Sequence, residues 1–220
     1  MKNKLVITSD GSHTIYVPEL NEHYHSVNGA VGESLVVYIK NGYEHSVADP
    51  VNILEIGFGT GLNALLTLVR STNERKRVYY TAIEKYPLRN TFISKLNHFT
   101  FAGTDGPEMS KLLHSAEWDK PVMLTPLFTL MKIKTDFISA DIPGLYDLVY
   151  YDAFGPDKQP EMWTDNLINK VSGATVPGGI FVTYSAKGSV KRALKSSGFE
   201  IELLPGPPGK REVLRAVKKR

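Results

Sequence analysis

Apolar and polar residues follow one another along the chain in short runs whose spacing switches between that of a strand and that of a helix. From residue 51 onward these runs predict strands and helices in turn. The predicted strands are 51–56, 77–83, 127–133, 146–151, 179–184, 199–204 and 212–217. The predicted helices are 62–69, 87–97, 107–118, 161–171 and 190–197. Alternation of this kind predicts a mostly parallel sheet with helices on both faces.

The last two predicted strands are connected differently from the others. The linker Pro205-Gly206-Pro207-Pro208-Gly209 is too short for a crossover helix, so these two strands are expected to be antiparallel. We therefore predict an α/β, Rossmann-like domain over residues 50–220, with a seven-stranded, mostly parallel sheet that ends in an antiparallel hairpin.

Residues 1–49 do not follow this alternation and are expected to form a small N-terminal extension. Two β-like runs, 6–8 and 14–17, flank the turn residues Asp10-Gly11 and predict a hairpin. Residues 33–40 then predict a helix that ends at Asn41-Gly42.

Composition removes several classes of site. The chain has no cysteine, which excludes disulfides, zinc–thiolate sites and thiol nucleophiles. None of its six histidines lies in an HExxH frame, so we expect no metal site. The apolar stretch after the basic start is too short for a signal peptide, and no run approaches the roughly 20 residues of a membrane span, so a cytoplasmic location is expected.

Positive charge is concentrated near the C-terminus. Residues 191–220 carry nine Lys and Arg against three Asp and Glu, a net +6 in a chain whose total is +3. Such a region fits a polyanionic partner such as RNA, and it equally fits a solvated strand edge and tail.

The most informative local pattern is a strand that runs into a glycine-rich turn and then into a helix. Three glycines, Gly57, Gly59 and Gly61, permit a tight turn and the close approach of a ligand. Their G-x-G-x-G spacing differs from the G-x-G-x-x-G of dinucleotide-binding proteins, which argues against an NAD dehydrogenase. The residues predicted to bind a cofactor here are Glu55, Gly57, Phe58, Gly59, Gly61 and Asn63.

Two acids follow the next strands. Glu84 lies 23 positions after Gly61 at the end of a predicted strand, the spacing expected of a carboxylate that binds a ribose. Asp136 follows the strand after that, where it is a candidate cofactor ligand or an ordinary loop residue.

Asp152 begins a loop at the end of the predicted strand 146–151. Ligands of open α/β sheets bind outside the carboxyl ends of the strands, so Asp152 is the candidate catalytic residue. The loop continues through Phe154 and Pro156 to Trp163, and the two rings either frame a nucleobase or anchor the following helix.

These stretches resemble the methyltransferase domain of the MnmC family, the tRNA 5-methylaminomethyl-2-thiouridine biosynthesis proteins. The resemblance is carried by the loop from Asp152 to Trp163, with Gln159 where Asn is usual, and by the segments 55–63, 25–34, 183–192 and 209–212. It implies the class I fold of S-adenosylmethionine-dependent methyltransferases, S-adenosylmethionine as the cofactor and the wobble uridine of tRNA as the substrate. The methyl acceptor would be the aminomethyl nitrogen at C5 of that uridine.

The resemblance also implies roles for individual residues. Asp152 would hold the amine and help to remove its proton, while the glycine turn, Glu84 and Asp136 would hold the cofactor. The residues expected at the substrate are Phe154, Pro156, Lys158, Trp163, Tyr184, Lys187, Lys210 and Arg211, with Lys187, Lys191, Arg192, Lys210 and Arg211 as candidate phosphate contacts. No segment of the 220 residues resembles the oxidase domain of two-domain MnmC, so either a separate upstream enzyme acts first or the aminomethyl nucleoside arises directly.

Three other functions stay open on the sequence. A small-molecule methyltransferase would use the same glycine turn. An aminopropyltransferase would share the fold, although the turn here lacks the extra glycine and acid typical of those enzymes. The third alternative is an RNA-binding module without catalysis, against which the intact glycines, Glu84 and Asp152 argue.

Overall fold

The structure is a computed structural model that describes residues 3–220. Its N-terminal part forms a three-stranded antiparallel sheet within those residues, made of β1 (Lys4–Ile7), β2 (His13–Val17) and β3 (Glu22–His23). The hairpin predicted around Asp10-Gly11 is present as β1 and β2. Helix α1 (Ala30–Ser34) follows and continues as a π-helix over Leu35–Lys40, so the predicted helix starts earlier than expected and ends where predicted.

The main sheet has eight strands in the described part of the chain. In chain order they are β4 (Val51–Ile56), β5 (Val78–Glu84), β6 (Pro121–Thr125), β7 (Phe128–Lys134), β8 (Tyr146–Tyr151), β9 (Thr175–Thr183), β10 (Phe199–Pro205) and β11 (Glu212–Lys218). Their order across the sheet is β10-β11-β9-β8-β4-β5-β7-β6. The five central strands are parallel, and β10 and β11 are antiparallel to each other, as predicted. Strand β11 also pairs antiparallel with β9, a pairing that the sequence analysis did not specify.

The prediction of seven strands missed β6. This strand pairs antiparallel with β7 at the sheet edge and begins with Pro121, a residue that sheets accept at edges because it donates no hydrogen bond. Its outward side chain Met123 is 71% exposed, so β6 lacks the buried apolar pattern that identified the other strands.

The helices that accompany the main sheet are α2 (Leu62–Glu74), α3 (Asn90–Ile93), α4 (Gly106–Ser115), α5 (Asp165–Gly173) and α6 (Gly188–Ser196). Turns of 3-10 helix lie at Tyr43–His45, before β4, and at His98–Phe101 and Pro160–Trp163. The helix predicted over 87–97 is wrong for most of its length: only α3 is α-helical, in a segment rich in Asn, Thr and Ser that favour turns. The helix predicted over 161–171 is divided at Thr164, whose side chain accepts a hydrogen bond from the backbone N–H of Leu167 and starts α5.

The two faces of the main sheet carry separate apolar clusters. One face packs against α2, α4 and the π-helix that follows α1, and the other against α5 and α6. Tyr38 and Tyr43 of the N-terminal segment are buried in the first cluster. The extension is therefore part of the core, and it brings its side chains to the carboxyl ends of β4 and β8. Within residues 3–220, none of the helices combines the length and apolar character needed to cross a bilayer.

Candidate active site

A cavity of about 1200 Å³ lies at the carboxyl ends of the parallel strands. Its wall combines the turn after β4, the ends of β5, β7, β8 and β9, and the N-terminal segment between residues 17 and 33. This is the position at which ligands bind in open α/β sheets.

The glycine turn forms one side of the cavity in a conformation that other residues rarely adopt. Gly57, Gly59 and Gly61 have φ values of +91°, +51° and +74°. A Cβ at Gly57 would lie 2.7 Å from the carbonyl oxygen of Asp152, so the turn is pressed against the end of β8. Gly57, Phe58, Gly59 and Asn63 line the cavity. Gly61 does not; it starts α2 beneath the turn.

Glu84 lies at the cavity wall and supports the turn. Its Oε2 accepts a hydrogen bond from the backbone N–H of Gly59 at 3.0 Å, and its Oε1 accepts one from the N–H of Tyr86 at 2.8 Å. Asp136 also lines the cavity and forms an ion pair with Lys85 at 2.7 Å. The hydrogen bond from Lys85 lowers the pKa of Asp136, which is therefore ionised at neutral pH.

Asp152 is the acid at the centre of the wall. Its Oδ1 accepts a hydrogen bond from the Tyr38 hydroxyl at 2.5 Å, and its Oδ2 accepts one from Nδ2 of Asn63 at 2.8 Å. Burial raises the pKa of Asp152 from 3.8 to about 7, with the negative charge of Glu33 acting in the same direction and the two hydrogen bonds opposing it. A carboxyl group in this state can exchange a proton near neutral pH.

Glu55 lies behind the cavity rather than on its wall. It is fully buried, and burial raises its pKa well above the usual value for glutamate. Its Oε1 accepts from Nδ2 of Asn63 at 3.0 Å, so the same amide group contacts both Glu55 and Asp152. In the structure Glu55 therefore lies behind Asn63 and outside the cavity wall.

The N-terminal segment supplies wall residues that the sequence analysis did not assign individually. Tyr24 packs against the turn so closely that a Cβ at Gly59 would lie 3.0 Å from its ring, and the ring meets that of Phe154 edge to face at 5.1 Å. His25 lines the cavity with its Nε2 3.2 Å from Oγ1 of Thr60, and burial lowers its pKa to about 3. The segment resembling the MnmC lead was a signal for His25 and Glu33, whereas no spacing rule indicated Tyr24 or Tyr38.

Phe154, Tyr184 and Lys210 are the predicted substrate residues that the structure brings to the cavity. The hydroxyl of Tyr184 donates to the carbonyl oxygen of Ala153 at 2.9 Å, next to Asp152. Lys210, a candidate phosphate contact, instead turns inward: it forms an ion pair with Glu33, and its Nζ lies 3.9 Å from the centre of the Tyr184 ring.

The remaining predicted substrate residues lie outside this wall. Trp163 is 7% exposed and belongs to the core, where its ring meets that of Tyr151, and its Nε1 donates to the carbonyl oxygen of Phe154 at 2.7 Å. Trp163 therefore holds the loop against the core, whereas the alternative given from the sequence was that it anchors the following helix. Lys187 pairs with Asp157 outside the cavity, the side chain of Arg211 is 93% exposed, and Pro156 and Lys158 lie in the loop beyond the wall. Among residues 3–220, no group of three or more acidic or histidine side chains is arranged to hold a metal ion.

Comparison with known proteins gives matches over almost the whole length of the chain. A family model for S-adenosyl-L-methionine-dependent methyltransferases matches residues 118–219. The bifunctional tRNA 5-methylaminomethyl-2-thiouridine biosynthesis proteins MnmC of Cupriavidus metallidurans and of Leptospira borgpetersenii serovar Hardjo-bovis are 30% and 32% identical over 94% and 97% of this chain. The chain spans 33% of the length of each of these two relatives.

Solved structures extend these matches to the fold. The structure of MNMC2 from Aquifex aeolicus superposes on 98% of this chain and 70% of its own, with a TM-score of 0.80 and 26% identity. Spermidine synthase from Thermotoga maritima covers 99% of this chain and 72% of its own with a TM-score of 0.56, and at 11% identity that likeness concerns the fold alone. In sequence and in fold the chain is therefore similar to S-adenosyl-L-methionine-dependent methyltransferases of the MnmC type.

Proposed function

We propose that this chain transfers the methyl group of S-adenosylmethionine to the aminomethyl nitrogen at C5 of the wobble uridine in tRNA. The observation that carries the proposal is the position of Asp152: a carboxyl group with a pKa of about 7 on the cavity wall, directly against the glycine turn. The names of the MnmC relatives supply the nucleoside.

The residues present fit the cofactor. The glycine turn is an open cradle of left-handed backbone at a helix start, where free N–H groups suit the carboxylate of the methionine part. Glu84 lies beside it for the ribose hydroxyls, and Asp136 lies at the next strand end for the adenine amino group. S-adenosylmethionine supplies an electrophilic sulfonium methyl group when it is bound there.

The chain's own residues must deliver a neutral amine to that methyl group. An alkylammonium has a pKa of about 10, by analogy with lysine, so it arrives protonated at neutral pH. Asp152 holds the ammonium and accepts its proton at a carboxylate oxygen, while Tyr38 and Asn63 fix the plane of the carboxyl group. The rings of Phe154 and Tyr24 meet at the cavity wall, where a nucleobase would stack on them.

A surface beside the cavity fits the phosphate backbone of an RNA. Lys191, Arg192 and Lys195 of α6 line a shallow groove with Ile201 and Leu203 of β10. Strand alternation turns Glu200 and Glu202 to the opposite face of β10, and Glu202 pairs with Arg215 there. Helix α6, which supplies the basic side chains of this groove, begins four residues after Tyr184 of the cavity wall.

The test is incubation of the purified protein with methyl-labelled S-adenosylmethionine and tRNA from a strain that lacks the corresponding gene. After digestion, label is expected in a 5-methylaminomethyl-type uridine, and addition of an enzyme that generates the aminomethyl nucleoside should increase it. Label in small amines but not in tRNA would favour the small-molecule alternative. A bound cofactor with no label in RNA or amines would reject the proposed reaction.

A further inference from the structure

One ion pair on the cavity wall lies outside the hydrogen bonds that Asp152 makes with Tyr38 and Asn63. Glu33 and Lys210 come from distant parts of the chain, α1 and the turn between β10 and β11, and their side chains are 7% and 27% exposed. Both line the cavity with Asp152. Surface ion pairs stabilise proteins little, and a charge pair brought into a reaction cavity acts on any other charge that forms there.

The geometry holds the pair in place next to the reacting carboxyl group. Oε2 of Glu33 accepts a hydrogen bond from the backbone N–H of Ser26 at 2.8 Å, while Oε1 accepts from Lys210. The ammonium group of Lys210 lies 3.9 Å from the centre of the Tyr184 ring, whose hydroxyl is bonded to the residue after Asp152. Both charges act on Asp152: Glu33 raises its pKa and Lys210 lowers it.

We infer that the Glu33–Lys210 pair sets the proton balance of the methyl acceptor site, with Lys210 disfavouring the ammonium form of the bound substrate amine and Glu33 favouring it. The inference rests on the proposed amine methylation. It makes both residues positioning residues, and it replaces the phosphate contact expected for Lys210.

The charge states of the other titratable groups in the cavity also bear on the protonation of the substrate amine. Burial raises the pKa of Tyr24, Tyr38 and Tyr184, and burial lowers the pKa of His25, so all four are neutral at pH 7. The acids Glu19, Glu22, Glu84 and Glu161 and the basic residues His23 and Arg89 line the same cavity, and Glu55 lies behind it. On the far side, Lys85 is paired with Asp136. Lys210 is the cation that contacts the Tyr184 ring, and its charge acts on Asp152.

Removal of each partner should change the reaction in opposite directions. Without the cation, in Lys210→Met, both the amine and Asp152 hold their protons more strongly, so the acid limb of the pH–rate profile should move to higher pH. Without the anion, in Glu33→Gln, both lose their protons more easily, and the limb should move to lower pH. An unbalanced charge close to a titrating group shifts its pKa by about 1 unit or more, so each midpoint should move by about one pH unit.

The experiment is a pH profile of kcat/KM for methylation of tRNA, with saturating S-adenosylmethionine, for the wild type, the two single variants and the double variant. The double variant should return towards the wild-type midpoint, and Lys210→Arg should keep it. Lys120→Met, which removes the lysine of an exposed ion pair with Glu117 outside the cavity wall, is the matched control and should leave the profile unchanged. Circular dichroism and cofactor binding verify that each variant is folded.

Opposite shifts of the two single variants support the inference. Profiles that keep the wild-type midpoint and differ only in the plateau would overturn it, because a structural role lowers activity without moving the midpoint. If Lys210→Met does not fold, the downward shift expected for Glu33→Gln decides alone. A wild-type protein that methylates no amine at any pH would refute the proposed function itself, a result distinct from active variants with unshifted profiles.

Discussion

Replacement of Asp152 by asparagine separates the role of its charge from the role of its shape. The asparagine side chain keeps an oxygen that can accept from the Tyr38 hydroxyl, and it loses the acceptor for Nδ2 of Asn63, a hydrogen bond of about 1 kcal/mol. It also loses the ability to take a proton, and general base catalysis contributes about 10²- to 10⁴-fold to rates. Turnover with tRNA should therefore fall by about that factor while cofactor affinity stays within a few-fold.

The same variant should change how stability depends on pH. Because burial raises the pKa of Asp152 from 3.8 to about 7, the folded protein holds a proton that the unfolded chain releases between these values. This contribution to stability is complete below pH 3.8 and is lost as pH rises through about 7. A difference of three pKa units corresponds to about 4 kcal/mol. Asp152→Asn should therefore be up to about 3 kcal/mol more stable than the wild type at pH 8, after the lost hydrogen bond is subtracted. At pH 4, where little of the pKa difference acts, the lost hydrogen bond should leave the variant less stable than the wild type by up to about 1 kcal/mol.

The assay pairs urea unfolding at pH 4 and pH 8 with single-turnover methylation. Asp147→Asn is not a suitable control, because Oδ2 of Asp147 accepts two hydrogen bonds from Asn52; Asp157→Asn, at an exposed carboxylate outside the cavity, serves that purpose. The reasoning about Asp152 is refuted if the variant turns over at a near-normal rate. It is equally refuted if the stability difference from the wild type is the same at both pH values.

Three further predictions concern the turn, the surface and the N-terminal sheet. Gly57→Ala should weaken cofactor binding at least tenfold, measured by calorimetry. The added Cβ would lie 2.7 Å from the carbonyl oxygen of Asp152, and the left-handed conformation costs a residue other than glycine about 1–3 kcal/mol. Gly173→Ala, with open space around the added Cβ, should bind the cofactor normally. Reversal of charge at Lys191 and Arg192 should lower tRNA affinity and reduce the slope of log affinity against log salt concentration by about 2. An unchanged slope would mean that the groove does not contact phosphates. The same change at Lys111 and Lys120 is the control and should leave the slope unchanged. Although burial opposes the effect, hydrogen bonds from Ser12, the Gly32 N–H and Thr8 hold the pKa of Asp10 at about 2. The ionised Asp10 therefore contributes about 1 kcal/mol to stability after solvent screening; this contribution is present above pH 3.8 and is lost as pH falls through 2. In acid unfolding, Asp10→Asn should be less stable than the wild type at pH 6 and equal to it at pH 1.5.

The parts of the fold that the sequence predicted are those with a regular buried pattern. Residues Val51–Ile56 and Tyr146–Tyr151 are buried along almost their whole length, and their predicted bounds match the structure. Edge strand β6 and the segment around α3 have mixed exposure, so local pattern gives no periodic signal there. The extra strand depends on the partner β7, a long-range contact that a window of sequence does not contain.

The candidate site was predictable where a short sequence motif indicates both the place of a residue in the sheet and the chemical role of its side chain. The glycine turn, Glu84 and Asp152 each follow a strand, and strand ends meet at one edge of a parallel sheet. Tyr38 was not predictable in this way, because it reaches Asp152 from 114 positions away along the chain. The inward position of Lys210 was not predictable for the same reason: in sequence it is one of several basic residues near the C-terminus, and its ion pair with Glu33, 177 positions away, is a long-range contact.

Burial of Asp152 reduces the difference between its pKa and that of the ammonium group from which it is proposed to take a proton. An ordinary aspartate with a pKa of 3.8 that takes a proton from an ammonium with a pKa of about 10 works against about 6 units, or roughly 8 kcal/mol. Burial raises the pKa of Asp152 to about 7 and removes about half of that gap from the side of the acceptor. The rest must come from the amine, whose charge is disfavoured by loss of water and by a neighbouring cation. The cavity wall provides such a cation, since it holds Lys210 against Tyr184. Through Tyr38, which bonds Asp152, and Glu33, which pairs with Lys210, the N-terminal segment contributes to the proposed acceptor site.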